Sequence, residues 1–173
     1  MSKATIGDAA KLVYLVDRLE DVSPQVGKTV VQKMMFLLDK KSVVNYDYSL
    51  YHYGPYSPAV ENDLNYVEFL DGVEIDWIKN QGYFIKPGGS AESLEESLSA
   101  DAKGAIDGVV ENFGKMRASD LSLLATVLYF WDRFEGDADG LTTAVKSVKP
   151  QYSEGDIREK IGLLKIKFFG KSR

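Results

Sequence analysis

Hydrophobic and polar residues follow two different periods in the first 87 residues of the chain. Apolar residues three or four positions apart predict three helices, at 6–21, 28–41 and 58–70. Alternation with a period of two predicts a strand at 44–53 and a hairpin at 73–85. Three helices with a small antiparallel sheet are typical of a winged-helix-like module, here with its first strand one helix later than usual.

The second half of the chain is predicted to be helical. Residues 88–98 are polar and rich in Gly and Ser, which is typical of a linker. Helical spacing then returns, with Ser99, Ser119 and Ser153 at positions where a serine side chain caps a helix. We therefore predict an α+β, mostly helical protein. It has a winged-helix-like module at 1–87, a linker at 88–98 and a helical half at 99–173, packed as one compact unit.

The sequence Tyr-Gly-Pro-Tyr-Ser at 53–57 predicts a sharp corner between the first strand and the third helix. Gly54 tolerates a positive φ, and Pro55 keeps the residue before it out of helical geometry, so the strand is expected to end at these two residues. Ser57 is followed by a proline, which suits the first position of a helix, so the serine hydroxyl is expected to cap that helix.

Tyrosine is concentrated around this corner. Five of the ten tyrosines lie within eleven residues, at positions 46, 48, 51, 53 and 56. Strand alternation places them on both faces, so they cannot all be core, and tyrosine is enriched at protein interfaces. Tyr51, Tyr53 and Tyr56 are therefore the predicted partner-binding residues. The alternative, ordinary packing of these rings against Trp77 and Tyr83 of the predicted hairpin, stays open.

The composition limits the chemistry that the chain can perform. It has 173 residues, no cysteine and one histidine, which excludes disulfides, cysteine nucleophiles and zinc sites built on these ligands. No glycine-rich phosphate loop or Gly-x-Ser-x-Gly motif is present, and His52, inside a tyrosine-rich strand, is expected to be a structural hydrogen-bonding group. We predict no enzymatic activity, no cofactor and no metal site. The N-terminal segment lacks a long uncharged apolar run, so neither a signal peptide nor a membrane span is expected, and we expect a cytoplasmic protein.

Charge bears on nucleic-acid binding. The net charge is −5, yet residues 146–173 carry +5 and the first 145 residues carry −10. The predicted third helix and the residue or two that flank it carry four carboxylates and no Lys or Arg, so this helix would repel DNA. The candidates for phosphate contact are the basic tail and four lysines of the second helix, Lys28, Lys33, Lys40 and Lys41.

Two segments carry a resemblance to a known family. Lys-Thr-Val-Val-Gln-Lys-Met-Met-Phe-Leu-Leu at 28–38 and Tyr-Ser-Leu-Tyr-His-Tyr-Gly-Pro-Tyr-Ser at 48–57 resemble the YwgA-like proteins of archaea and bacteria. These are distantly similar to the Panacea, or SocA-like, antitoxin domains. The resemblance covers the N-terminal half, and the C-terminal half is similar only in its helical layout. It implies a protein-binding, toxin-neutralising or regulatory role without enzymatic activity.

Together these observations predict a non-enzymatic, macromolecule-binding regulatory module. Protein–protein interaction, antitoxin-like in one form, is the favoured activity, so the expected partner is another protein. The alternative is a winged-helix DNA-binding transcriptional regulator that uses the four lysines and the tail. A membrane partner is not expected, and a homodimer stays open.

Overall fold

A computed structural model describes residues 6–170 of the chain. Residues 1–5 and 171–173, at the ends of the predicted module and of the basic tail, lie outside the described residues. The elements are α1 (Ile6–Glu20), α2 (Lys28–Lys40), β1 (Ser49–Tyr51), β2 (Gly54–Tyr56), α3 (Pro58–Phe69), β3 (Val73–Ile78), β4 (Gly82–Pro87), α4 (Ala91–Glu95), α5 (Ala100–Phe113), α6 (Ala118–Phe130), α7 (Ala138–Val148) and α8 (Glu154–Leu163). A 3₁₀ turn (Trp131–Phe134) follows α6, and a π-helical turn (Leu164–Phe168) follows α8.

The α+β, mostly helical class is confirmed, and the three N-terminal helices end within one residue of their predicted bounds. The predicted hairpin at 73–85 is also confirmed. Strands β3 and β4 pair antiparallel with Ile75 opposite Ile85, and the turn places Asn80 and Gly82 at positive φ. The Ile85 amide donates to the Val26 carbonyl oxygen at 2.8 Å, which attaches this hairpin to the segment before α2.

The single strand predicted at 44–53 is wrong. Only Ser49–Tyr51 is a strand, and it pairs with Gly54–Tyr56 in a tight hairpin, with Tyr51 opposite Gly54. Gly54 and Pro55 therefore start the return strand and do not end the sheet. Upstream, the Tyr46 amide donates to Asp39 Oδ1 at 2.9 Å. This amide is therefore hydrogen-bonded to a carboxylate near the end of α2 and not to a neighbouring strand.

Residues 88–98, predicted as a linker, contain the short helix α4. It forms because Ala91 is buried and Leu94 packs against the core beside α1, contacts that a polar pattern does not reveal. The predicted caps at Ser99 and Ser153 are confirmed, the latter in a capping box with Asp156. The predicted cap at Ser119 is wrong, because α6 begins at Ala118 and its N-cap residue is Arg117, two residues earlier.

One helix, α6, lies at the centre of the hydrophobic core. Residues 121–128 are all buried, and the helix contacts α2, α7, α8 and β2. Apart from Ser122 and Thr126 these residues are apolar, and a helix that is apolar on nearly every side has to be surrounded by other elements. Helix α2 is buried over nine consecutive residues, 30–38. The core cluster thus draws on both halves of the chain. Within residues 6–170, no helix has the length and apolar character needed to cross a membrane.

Candidate functional site

The hairpin β1–β2 is pressed against α6 at Gly54. This glycine has φ of +100°, and a Cβ added to it would lie 2.7 Å from Thr126 Oγ1 and 3.1 Å from the Ser122 carbonyl oxygen. A larger residue would be strained in conformation and would also clash with the helix. The positive φ that the sequence allows at Gly54 is thus observed, and the close approach fixes the position of the hairpin tip on α6.

Two buried lysines hold this hairpin from beneath. Lys33 Nζ, on α2, donates to the Pro55 carbonyl oxygen at 2.8 Å, and Lys149 Nζ, directly after α7, donates to the His52 carbonyl oxygen at 3.0 Å. Their relative exposures are 2% and 3%. Within residues 6–170, neither ammonium group has a carboxylate oxygen within 4.0 Å. Helix α2 and the residue after α7, which are far apart in sequence, therefore both contact this hairpin through a hydrogen bond from a lysine ammonium group to a backbone carbonyl oxygen.

Burial lowers the pKa of both lysines. Desolvation, reinforced by the positive charge of Lys149, lowers the pKa of the Lys33 amine to about 8. Desolvation also lowers the pKa of Lys149. The charged form of an amine loses hydration on burial, and two backbone carbonyls replace that hydration only in part.

The start of α3 is held by Gln32. Its Nε2 donates to the Ser57 carbonyl oxygen at 2.9 Å, and its Oε1 accepts from the Ser57 amide at 3.0 Å. The predicted side-chain cap at Ser57 is wrong. Ser57 occupies the N-cap position, but its hydroxyl accepts no helix amide and has no hydrogen-bond partner in the buried interior.

The structure separates the five tyrosines into two groups. Tyr46 and Tyr48 lie inward: the Tyr46 hydroxyl donates to Asp63 Oδ2 at 2.5 Å, and Tyr48 meets Phe36 edge-on. The three predicted partner-binding tyrosines lie on the outer side of the β1–β2 hairpin. Tyr51 and Tyr53 are exposed, Tyr53 by 69%, and the half-buried Tyr56 packs on Tyr51 with ring centroids 5.2 Å apart.

Two adjoining concave surfaces meet at Tyr53. The smaller, which we call the lysine cavity, has a volume of about 280 Å³ and is lined by Lys33, Gln32 and the three hairpin tyrosines among others. The larger, about 660 Å³, lies between the starts of α2 and α6 and the β3–β4 hairpin. Lys28, Thr29 and Tyr53 line both surfaces.

Large aromatic side chains border this combined surface. Tyr51 and Tyr53 come from one hairpin, and Trp77, which is 64% exposed, and Tyr83 come from the other. We call the surface bordered by these four residues the aromatic groove. Trp77 and Tyr83 pack on each other with centroids 4.9 Å apart, and within residues 6–170 no ring contact joins the two hairpins.

The four predicted phosphate contacts are not brought onto one surface. Lys28 Nζ pairs with Glu61 at 2.7 Å and lies 4.4 Å from the Tyr83 ring centroid. Lys33 is buried beneath the hairpin. Lys41 Nζ donates to the Phe168 carbonyl oxygen at 2.9 Å. Lys40 is exposed at the opposite end of α2 from Lys28, about 18 Å away at the rise of an α-helix.

His52 differs from its predicted role as a structural hydrogen-bonding side chain. It lies at the exposed hairpin turn, and its backbone carbonyl, not its imidazole, makes the structural hydrogen bond, which it accepts from Lys149. Sequence reasoning missed Gln32, Lys149 and Thr126. The burial of Lys33 could have been predicted from the sequence, because this residue lies three positions after Val30 and four before Leu37, both in the buried stripe of α2.

Comparison with known proteins finds no family model that matches the chain and no curated protein that is similar to it.

Proposed function

We propose that the chain is a non-enzymatic regulatory module that binds another protein through the aromatic groove. The observation that carries the proposal is the exposure of Tyr51, Tyr53, Trp77 and Tyr83 around one concave surface. Aromatic side chains supply much of the binding energy of protein interfaces, and they do so from well-packed pockets. Because both hairpins border the groove, a partner bound in it would contact both.

The charges of the groove support a protein partner over nucleic acid. The ammonium group of Lys28 is already paired with Glu61, and Lys33 is buried and donates to the Pro55 carbonyl oxygen. Helix α3 contributes no cation, and its exposed face includes Glu68. Phosphate contact requires several free Lys or Arg side chains on one surface.

We also propose that α1–α3 and the β3–β4 hairpin form a winged-helix-like module. The chain would then belong to the YwgA-like proteins, with an antitoxin-like role as one form of regulation. We take the module as non-enzymatic because the one histidine lies at an exposed turn, where no described side chain orients its imidazole as a base requires.

Affinity capture from the native host, followed by titration of the purified partner, tests the proposal. We expect Tyr53→Ser and Trp77→Ser each to weaken binding at least tenfold, as loss of an interface anchor does. Phe69→Ser is the matched control, because Phe69 is 85% exposed on α3 and does not line the groove.

Equal weakening by Phe69→Ser would contradict the assignment of the groove. Binding that disappears on nuclease treatment and falls steeply with salt would instead favour the DNA-binding alternative.

A further inference from the structure

Lys33 and Lys149 form a pair of buried cations without a counter-charge in the described part of the chain. Each donates to one backbone carbonyl, and no described carboxylate lies within ion-pairing distance of either. The positive charge of Lys149 is close enough to lower the pKa of Lys33. Folded proteins bury charges when a partner or a ligand compensates them, since unpaired burial costs several kcal/mol. Neither lysine has such a partner among residues 6–170.

The lysine cavity lies beside this pair. Lys33 lines it, and the ammonium group of the other lysine in its wall, Lys28, is already paired with Glu61. The Gln32 amide is occupied on both sides by the Ser57 backbone. Three tyrosines, Tyr51, Tyr53 and Tyr56, form most of the remaining wall, together with Thr29, His52 and Gly54. The cavity therefore combines one buried cationic residue with largely aromatic walls.

We propose that the lysine cavity binds a carboxylate attached to an apolar or aromatic body. Lys33 is the direct partner of the carboxylate, Lys149 adds positive charge behind it, and the tyrosine rings cover the body of the ligand. A phosphate, with its higher negative charge, fits less well, because among the described residues Lys33 is the one cation in this wall that is not already in an ion pair.

The carboxylate has two possible sources, a free small acid or the C-terminus of a peptide, and both share this chemistry. The inference goes beyond the proposed protein-binding function, because a free acid would fill the cavity without any protein partner. The lowered pKa of Lys33 adds a consequence: binding of an anion favours the protonated amine, so the affinity should fall as pH rises above about 8.

Thermal melts of the full chain with sodium benzoate test the proposal. At a concentration about ten times its dissociation constant, benzoate should raise the melting temperature by roughly 3–6 °C. Benzamide, which has the same shape without the charge, and sodium chloride at equal ionic strength should not. A rise that chloride or phosphate reproduces would overturn the assignment to a carboxylate, and no rise with any acid would overturn the site.

Variants then locate the effect. Lys33→Met should abolish the response to benzoate, and Lys40→Met, an exposed lysine of the same helix, should keep it. A measurement on the wild type guards against a variant that folds poorly: the ¹³Cε resonance of Lys33 should titrate at higher pH with benzoate than without it. An unmoved Lys33 titration, or a full response in Lys33→Met, would refute the role of this residue.

The source is decided by comparing ligands. If the peptide Gly-Gly-Gly-Phe with a free C-terminus binds at least tenfold tighter than benzoate, and if amidation abolishes its binding, the natural ligand is a peptide C-terminus. Benzoate binding alone identifies a free small acid. Both outcomes support a carboxylate site, and binding of the amidated peptide with equal affinity would contradict it.

Discussion

Replacing Lys33 with methionine should change how the stability of the protein depends on pH. The unfolded chain keeps the Lys33 proton up to its ordinary pKa of 10.5, whereas the folded chain releases it near pH 8. Between these values the unfolded state binds more protons, so the free energy of unfolding of the wild type rises with pH. Integrated from pH 7 to pH 10, this amounts to about 2.5 kcal/mol, or roughly 5–10 °C in melting temperature.

The Lys33→Met variant lacks this gain. At pH 7 its stability should lie within about 1 kcal/mol of the wild type, because relief from burying a charge is offset by an unpaired Pro55 carbonyl. Urea unfolding of both proteins at half-unit steps from pH 7 to 10 measures the difference, and Lys40→Met serves as the exposed control. The buried tyrosines also affect stability above pH 10, but they are common to all three proteins. Parallel profiles for wild type and Lys33→Met would refute the reasoning.

Three further substitutions test the contacts around the hairpin by chemical unfolding. Ser57→Ala should change the free energy of unfolding by less than about 0.5 kcal/mol, since the hydroxyl has no partner; a loss near 1 kcal/mol would show that it caps α3 after all. Gln32→Leu should cost about 3 kcal/mol, because the amide and the carbonyl of Ser57 both lose a buried partner, and a near-neutral result would mean that water replaces the amide. Gly54→Ala should cost more than about 2 kcal/mol through its positive φ and its contact with α6, and an unchanged melting temperature would show that the hairpin relaxes away.

The sequence predicts the helices and the second hairpin well because local periodicity determines them. Helix α2 has an apolar stripe, and the β3–β4 hairpin has period-two alternation around a turn with residues that accept positive φ. The first hairpin was missed for a physical reason. Its return strand has only three residues, Gly54–Tyr56, and it is held by α6 and two lysines from distant parts of the chain.

The candidate site was predicted in part for the same reason. The tyrosine cluster identified the hairpin as unusual, and Tyr51 and Tyr53 are indeed exposed. Which lysines face solvent could not be read from composition. Lys33 and Lys40 lie seven residues apart, on nearly the same face of α2, and differ in that the β1–β2 hairpin covers only Lys33. Lys149 follows a helix nearly a hundred residues after the hairpin, and only the tertiary fold brings it to His52.

The central position of α6 has a consequence for synthesis of the protein. Part of the buried surface of α2, residues 30–38, packs against α6, which the ribosome adds roughly 80 residues later. At about 5–20 residues per second, that surface stays uncovered for on the order of 4–16 s in each nascent chain. Nascent chains are therefore expected to need chaperone cover during this interval. A fragment of residues 1–98 expressed alone should aggregate, and its elution as a folded monomer in size-exclusion chromatography would show that α2 finds cover without α6.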